Sequence, residues 1–280
     1  MITDVHHVGI AVRDMEAALG FYAEALGLPV VKRGEAAARG ALVALLAVAG
    51  SYLELVQPTR DDSPFAEHIA EWGEGLHHVA LGTDDVCTLV AELRAKGVPL
   101  QDREPREGFT GLLSYLAPEA MDGALLEVVQ PPRELTGGSA GDSPVSRIDH
   151  VVLRLPDVEG ACGRMGEYFG VETKRTFERG ELRFSFLRPG DVIMELIGPM
   201  KPPSEPRTGP STPAGAGLRT GFIAGLAFEV TDIEALTADL KGRGLPVGEP
   251  HPALQGGRIV SVHAGGACGV PVAFIDFTDG

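Results

Sequence analysis

Two histidine doublets and two isolated glutamates are the residues of this 280-residue chain whose types and spacing could do chemistry. His6 and His7 open the run HHVGIAV, and His77 and His78 open HHVALGT; Glu54 lies in YLELVQ and Glu127 in ALLEVVQ. A lone carboxylate inside an apolar run is unfavourable to bury unless it is paired or binds a metal. Side chains alternate along a strand, so Val8, Ile10 and Val12 share one face while His7, Gly9 and Ala11 share the other. The second run repeats this, with His78, Ala80 and Gly82 on the side where small residues leave space. His6 and His77 fall on the opposite side, where each is expected to be a satisfied core histidine. Glu54 follows His7 at almost the interval at which Glu127 follows His78. Each repeat thus supplies one imidazole and one carboxylate, and a pseudo-twofold packing of the repeats would bring all four together. His7, Glu54, His78 and Glu127 are therefore candidate ligands. Their mixed N/O set suits a divalent ion such as Co²⁺, Ni²⁺, Mn²⁺, Fe²⁺ or Zn²⁺.

The elements that must position these side chains are written four times. The segments 6–27, 77–97, 149–170 and 224–244 each read as a short apolar strand, an aspartate, an amphipathic helix and a glycine. Asp14, Asp85, Asp157 and Asp232 stand where an N-cap accepts the orphan N–H groups of a helix. Gly27, Gly97, Gly170 and Gly244 stand where a left-handed residue ends one. About three alternating strands follow each helix, so the spacing predicts four βαβββ modules of an α+β fold. The modules group in pairs, 1–132 and 147–280, joined by a Pro/Gly/Ser-rich linker over 133–146. A second stretch of this kind, 202–217, reads as a mobile loop between modules three and four.

The second pair is a degenerate copy. His150 matches His7 and Glu195 matches Glu54, but Gly225 takes the place of His78 and Ala273 that of Glu127. No second working metal site is expected, and His251 and His263 fall outside the repeat. The run HAGGACGVP reads as a turn, because no strand, glycine loop and helix follow one another there.

Bulk properties narrow the classes. The formal charge of −15 disfavours nucleic acid, whose phosphates need clustered Lys and Arg. No apolar run is long enough for a membrane span, and MITDVHHVGIAV shows no secretory signal. Cys87, Cys162 and Cys268 form neither a disulfide framework nor a zinc-finger spacing, which fits reduced thiols in the cytoplasm.

The motifs HHVGIAV, YLELVQP followed by DDSPFAEHI, GEGLHHVAL and GALLEVVQ resemble the vicinal oxygen chelate (glyoxalase, bleomycin resistance, dioxygenase) superfamily. Within it, residues 1–132 most resemble the methylmalonyl-CoA epimerases. The resemblance implies paired βαβββ modules that form cupped sheets around a divalent metal held by His7, Glu54, His78 and Glu127. The stretch EGFTGLLSYLAPEAMDG only loosely follows the epimerase pattern, and the tandem length exceeds the usual single pair of modules. A fourth protein ligand suits a Lewis acid that polarises a carbonyl better than a site that must also take up O₂. That favours epimerisation of methylmalonyl-CoA or a similar acyl thioester, with Glu127 and Glu54 as the carboxylates serving the two faces. A glyoxalase-type lyase, a ring-cleaving dioxygenase and a non-enzymatic resistance-type binding protein are the alternatives. The expected partner is a small-molecule substrate, with Arg103 and Arg106 as contacts for an acyl-CoA. The chain is expected as a monomer whose second half replaces a dimer partner, or as a homodimer.

Overall fold

In a computed structural model, which describes residues 1–202, 220–253 and 256–277, the chain forms two eight-stranded sheets. The 202–217 stretch lies outside the described residues beyond Pro202. The first sheet comprises β1 (Ile2–Ala11), β2 (Val30–Ala36), β3 (Ala41–Val48), β4 (Ser51–Pro58), β5 (Gly75–Thr83), β6 (Arg106–Glu107), β7 (Leu112–Tyr115) and β8 (Leu126–Gln130). Its spatial order is β2-β3-β4-β1-β5-β8-β7-β6, so the two module-opening strands lie side by side at its centre. The second sheet comprises β9 (Val145–Arg154), β10 (Thr173–Arg179), β11 (Leu182–Leu187), β12 (Ile193–Pro199), β13 (Phe222–Val230), β14 (His251–Pro252), β15 (Arg258–Val262) and β16 (Val272–Asp276), in the corresponding order.

Four helices follow the module-opening strands: α1 (Met15–Leu19), α3 (Val86–Ala95), α4 (Val158–Phe169) and α5 (Ile233–Gly242). Each starts where its aspartate accepts backbone N–H groups. Asp14 bonds the Glu16 and Ala17 amides, and Asp85, Asp157 and Asp232 bond those of Thr88, Gly160 and Ala235. The four expected glycines are all left-handed, with φ between 68° and 76°. The first helix is less regular than its pattern suggested, since α1 runs on into a π-helical turn, Gly20–Ala25. A further helix, α2 (Pro64–Trp72), follows β4; Ser63 caps it and proline opens it.

A second device ties three of these helices to the last strand of their modules. The Gln57 side chain accepts the Met15 amide at 2.7 Å, and the Gln130 side chain accepts the Val86 amide at 3.2 Å. Asp276 accepts the Ile233 amide at 3.3 Å in the fourth module. Each of these residues stands three positions beyond Glu54, Glu127 or Ala273, so the bond also sets how far along its strand the candidate ligand sits. In the third module that position is Gly198, packed so closely on the Leu155 carbonyl that no Cβ would fit.

The chain divides into two compact units, each with parts of both sheets. One is Met1–His7, His78–Thr136 and Val151–Ala224; the other is Val8–His77, Gly137–His150 and Gly225–Gly280. Inside the first, Gly123 (φ +103°) meets the Gly221 backbone, Arg164 pairs with Asp122, and the Lys96 ammonium donates to the Glu167 carbonyl at 2.6 Å. Inside the second, the Tyr22 hydroxyl donates to the Ala267 carbonyl and the Ser143 hydroxyl to that of Leu26. All three cysteines are free. No helix among the described residues is long and apolar enough to cross a membrane.

Candidate metal centre

The parallel pairing of β5 with β8 sets Ala80 opposite Glu127, and the antiparallel pairing of β7 with β8 sets Tyr115 opposite it. In the other module Glu54 stands opposite Leu45. His7, Glu54 and His78 each offer a ligand atom within 4.8 Å of the others. Glu127 completes the expected four: its Oε1 is 3.7 Å from His7 Nε2 and its Oε2 is 3.8 Å from His78 Nε2. The two histidine Nε2 atoms are 3.1 Å apart, their rings almost perpendicular at 88°.

The face carrying these groups was expected to be open, yet none of the four candidate side chains is exposed by more than 6%. Curling of the sheet closes it: the Tyr115 ring stands 5.4 Å from that of His78, and Ala80, Leu113 and Val129 pack around Tyr115. Burial has electrostatic consequences. It holds the His7 imidazolium form well below its usual range, which keeps the ring in the neutral form that ligates a metal. It pushes the Glu54 carboxyl up to about 7, against a smaller opposing effect of the Lys32 ammonium.

Four buried N and O donors with so little compensating positive charge fit a divalent cation. With ligand bonds of about 2.1 Å, neighbouring donors stand roughly 3–3.4 Å apart. The separations of 3.1, 3.7 and 3.8 Å lie close to that range. The His-Glu-His group could therefore hold a divalent metal, with Glu127 within reach of the same point.

His6 is more than a satisfied core histidine. Its Nδ1 lies 2.9 Å from His7 Nδ1 and its Nε2 lies 2.9 Å from the Leu135 carbonyl oxygen. Leu135 belongs to a short 3₁₀ turn, Arg133–Leu135, in the segment expected to be linker. The repeated doublet was the available signal, but alternation alone assigned its first member to the other face. His77, expected in the core, is instead half-buried and packs on Phe65 and His68.

Of the two arginines, Arg106 stands over the Tyr115 ring at 5.7 Å and pairs with Asp102 at 3.1 Å, while Arg103 is exposed. In the second sheet His150 Nδ1 meets Asp149 Oδ2 at 2.7 Å. There Ala227 pairs with Ala273 just as Ala80 pairs with Glu127, which places Ala273 in the second glutamate's slot. Among the described residues, the group around His7 is the one set of three or more side chains that could hold a metal.

The profile of the glyoxalase/bleomycin resistance protein/dioxygenase superfamily matches residues 6–115 and 149–261. Mitochondrial methylmalonyl-CoA epimerase of Bos taurus is 30% identical over 128 residues, covering 45% of this chain and 73% of that one. Ethylmalonyl-CoA/methylmalonyl-CoA epimerase of Cereibacter sphaeroides is 30% identical over 133 residues, covering 46% of this chain and 99% of that one. A mutant 4-hydroxymandelate synthase from Streptomyces coelicolor, 17% identical, superposes with a TM-score of 0.71 over 99% of this chain and 93% of its own, so the two share a fold. With both halves matched and the paired βαβββ modules in place, the chain belongs to the glyoxalase/bleomycin resistance protein/dioxygenase superfamily.

Proposed function

We propose that the protein is a divalent-metal-dependent epimerase that moves the proton on the carbon next to an acyl-CoA carbonyl, with methylmalonyl-CoA as the first substrate to test. The observation that carries this reading is the buried set of two imidazoles and two carboxylates. The 30% identity of the first half to epimerases of methylmalonyl- and ethylmalonyl-CoA supports it.

His7, His78, Glu54 and Glu127 would hold the ion, which when bound supplies a Lewis acid that polarises the substrate carbonyl. Proton transfer is left to the carboxylates. A carboxylate that both ligates the ion and moves the proton must loosen from the ion during turnover. Glu54 comes from β4 and Glu127 from β8, the last strands of two different modules. In this reading one takes the α-proton and the other returns a proton to the opposite face, so the C–H bond is broken and re-formed with no net change in composition. The apolar side chains packed around Tyr115 would limit the water that could compete for the proton. Arg106, beside that ring, supplies positive charge for an anionic substrate.

The test is solvent exchange. Metal-loaded protein incubated with methylmalonyl-CoA in D₂O is expected to wash out the C2 proton faster than buffer, as followed by NMR. EDTA treatment and Glu127→Gln are each expected to abolish the excess. Exchange at the buffer rate with metal confirmed bound would overturn the epimerase reading and put lyase or dioxygenase substrates first.

A further inference from the structure

We propose that His6, anchored by the Leu135 carbonyl, is a positioning residue that fixes the tautomer of His7 and so presents the His7 Nε2 lone pair to the metal site. This rests on the metal-site part of the reading above and not on the identity of the substrate.

The argument follows the protons. A carbonyl oxygen can only accept, so the 2.9 Å contact between His6 Nε2 and Leu135 requires the His6 proton on Nε2. His6 is 3% exposed and His7 is 0% exposed, and a ring buried to that degree is neutral and carries one N–H. With its proton on Nε2, His6 offers a lone pair at Nδ1. The hydrogen in the 2.9 Å Nδ1···Nδ1 contact must then belong to His7. His7 is thereby the Nδ1–H tautomer, and its Nε2 carries a lone pair on the side of His78 and Glu127. A ligating histidine commonly has its other nitrogen bonded to an oriented acceptor, and loss of such partners weakens metal binding. Here the acceptor is another imidazole, held in turn by the first turn of the segment joining the two halves.

The second sheet contains the same arrangement in a different residue. Asp149, one position before His150, accepts from His150 Nδ1 at 2.7 Å and is itself held by Arg147 at 3.3 Å. The position before the strand histidine thus orients that histidine in β1 and in β9. In β5 the preceding His77 contacts the Phe65 and His68 rings instead.

Long-range ¹H–¹⁵N NMR of the metal-free, histidine-labelled protein should show His7 protonated at Nδ1 and unprotonated at Nε2. Titration with Co²⁺, read by its absorption, should give a Kd weakened roughly 10- to 100-fold in His6→Phe, which keeps the ring volume but removes the acceptor. His6→Asn, whose amide oxygen can take the place of Nδ1, should bind within a few-fold of wild type. An Nε2–H tautomer on His7, wild-type affinity in His6→Phe, or equal weakening in both variants would overturn the proposal. Thermal melts establish whether the variants fold; if His6→Phe does not, the wild-type tautomer decides. Wild-type protein that does not bind Co²⁺ would overturn the metal-site reading, whereas binding without C2-proton exchange would overturn only the substrate.

Discussion

Glu54 carries a titration that can be isolated. Its folded-state pKa of about 7 exceeds the ordinary 4.5, so the folded protein binds its proton more tightly than the unfolded chain does. For a raised acid the sign is unfavourable with rising pH: stability present below about 4.5 is lost progressively as pH rises to about 7 and stays lost above it. The His6 and His7 rings, shifted down by burial, change stability in the opposite sense below their usual 6.5, so wild type alone would give a mixed profile. The useful quantity is the difference from Glu54→Gln. Metal-free wild type should lose stability relative to Glu54→Gln between pH 5 and pH 7.5, by at most about 3 kcal/mol. Urea melts of both proteins at the two pH values measure it, and a pH-independent difference would contradict the shift. Because metal binding displaces the Glu54 proton, affinity should also rise over the same interval.

The strand-to-helix bonds belong to the scale of elements. Gln57, Gln130 and Asp276 take the first amide of α1, α3 and α5, each from a position three residues beyond a ligand slot. Gln57→Leu would leave the Met15 amide without that acceptor and is expected to lower stability by about 1–2 kcal/mol. Chemical denaturation reads this directly. Co²⁺ affinity should fall as well, since the strand carrying Glu54 loses a bond that sets its position. The helix starts, the turn glycines and the three strands per module were legible because caps and alternation are local. The glutamine bonds were not, because Met15 and Gln57 are remote in sequence and nothing in VQP announces which amide the side chain will meet.

For the whole molecule, the two halves meet through close backbone approaches and hydrogen bonds in both compact units. Examples are Gly123 on Gly221, Lys96 on Glu167 and Tyr22 on Ala267. We propose that the second half takes the place of a partner subunit. Sedimentation equilibrium is expected to return the mass of a single chain across micromolar concentrations. An obligate dimer assembled through the first half would contradict this.

The chain by itself determined the repeat, the α+β class and the superfamily, and it pointed to four candidate donor positions, because each depends on short-range periodicity or on residue types that recur at one interval. It also showed the second copy to be degenerate, since Gly225 and Ala273 have no donor atoms to offer. Only the tertiary structure decided that the donor face is closed, that Glu54 is desolvated far enough to titrate near neutrality, and that His6 and Leu135 stand behind His7. Those properties arise where strands curl and remote segments meet. There burial changes the energy of a charge, and a carbonyl more than a hundred residues away selects which nitrogen of a ring carries the proton.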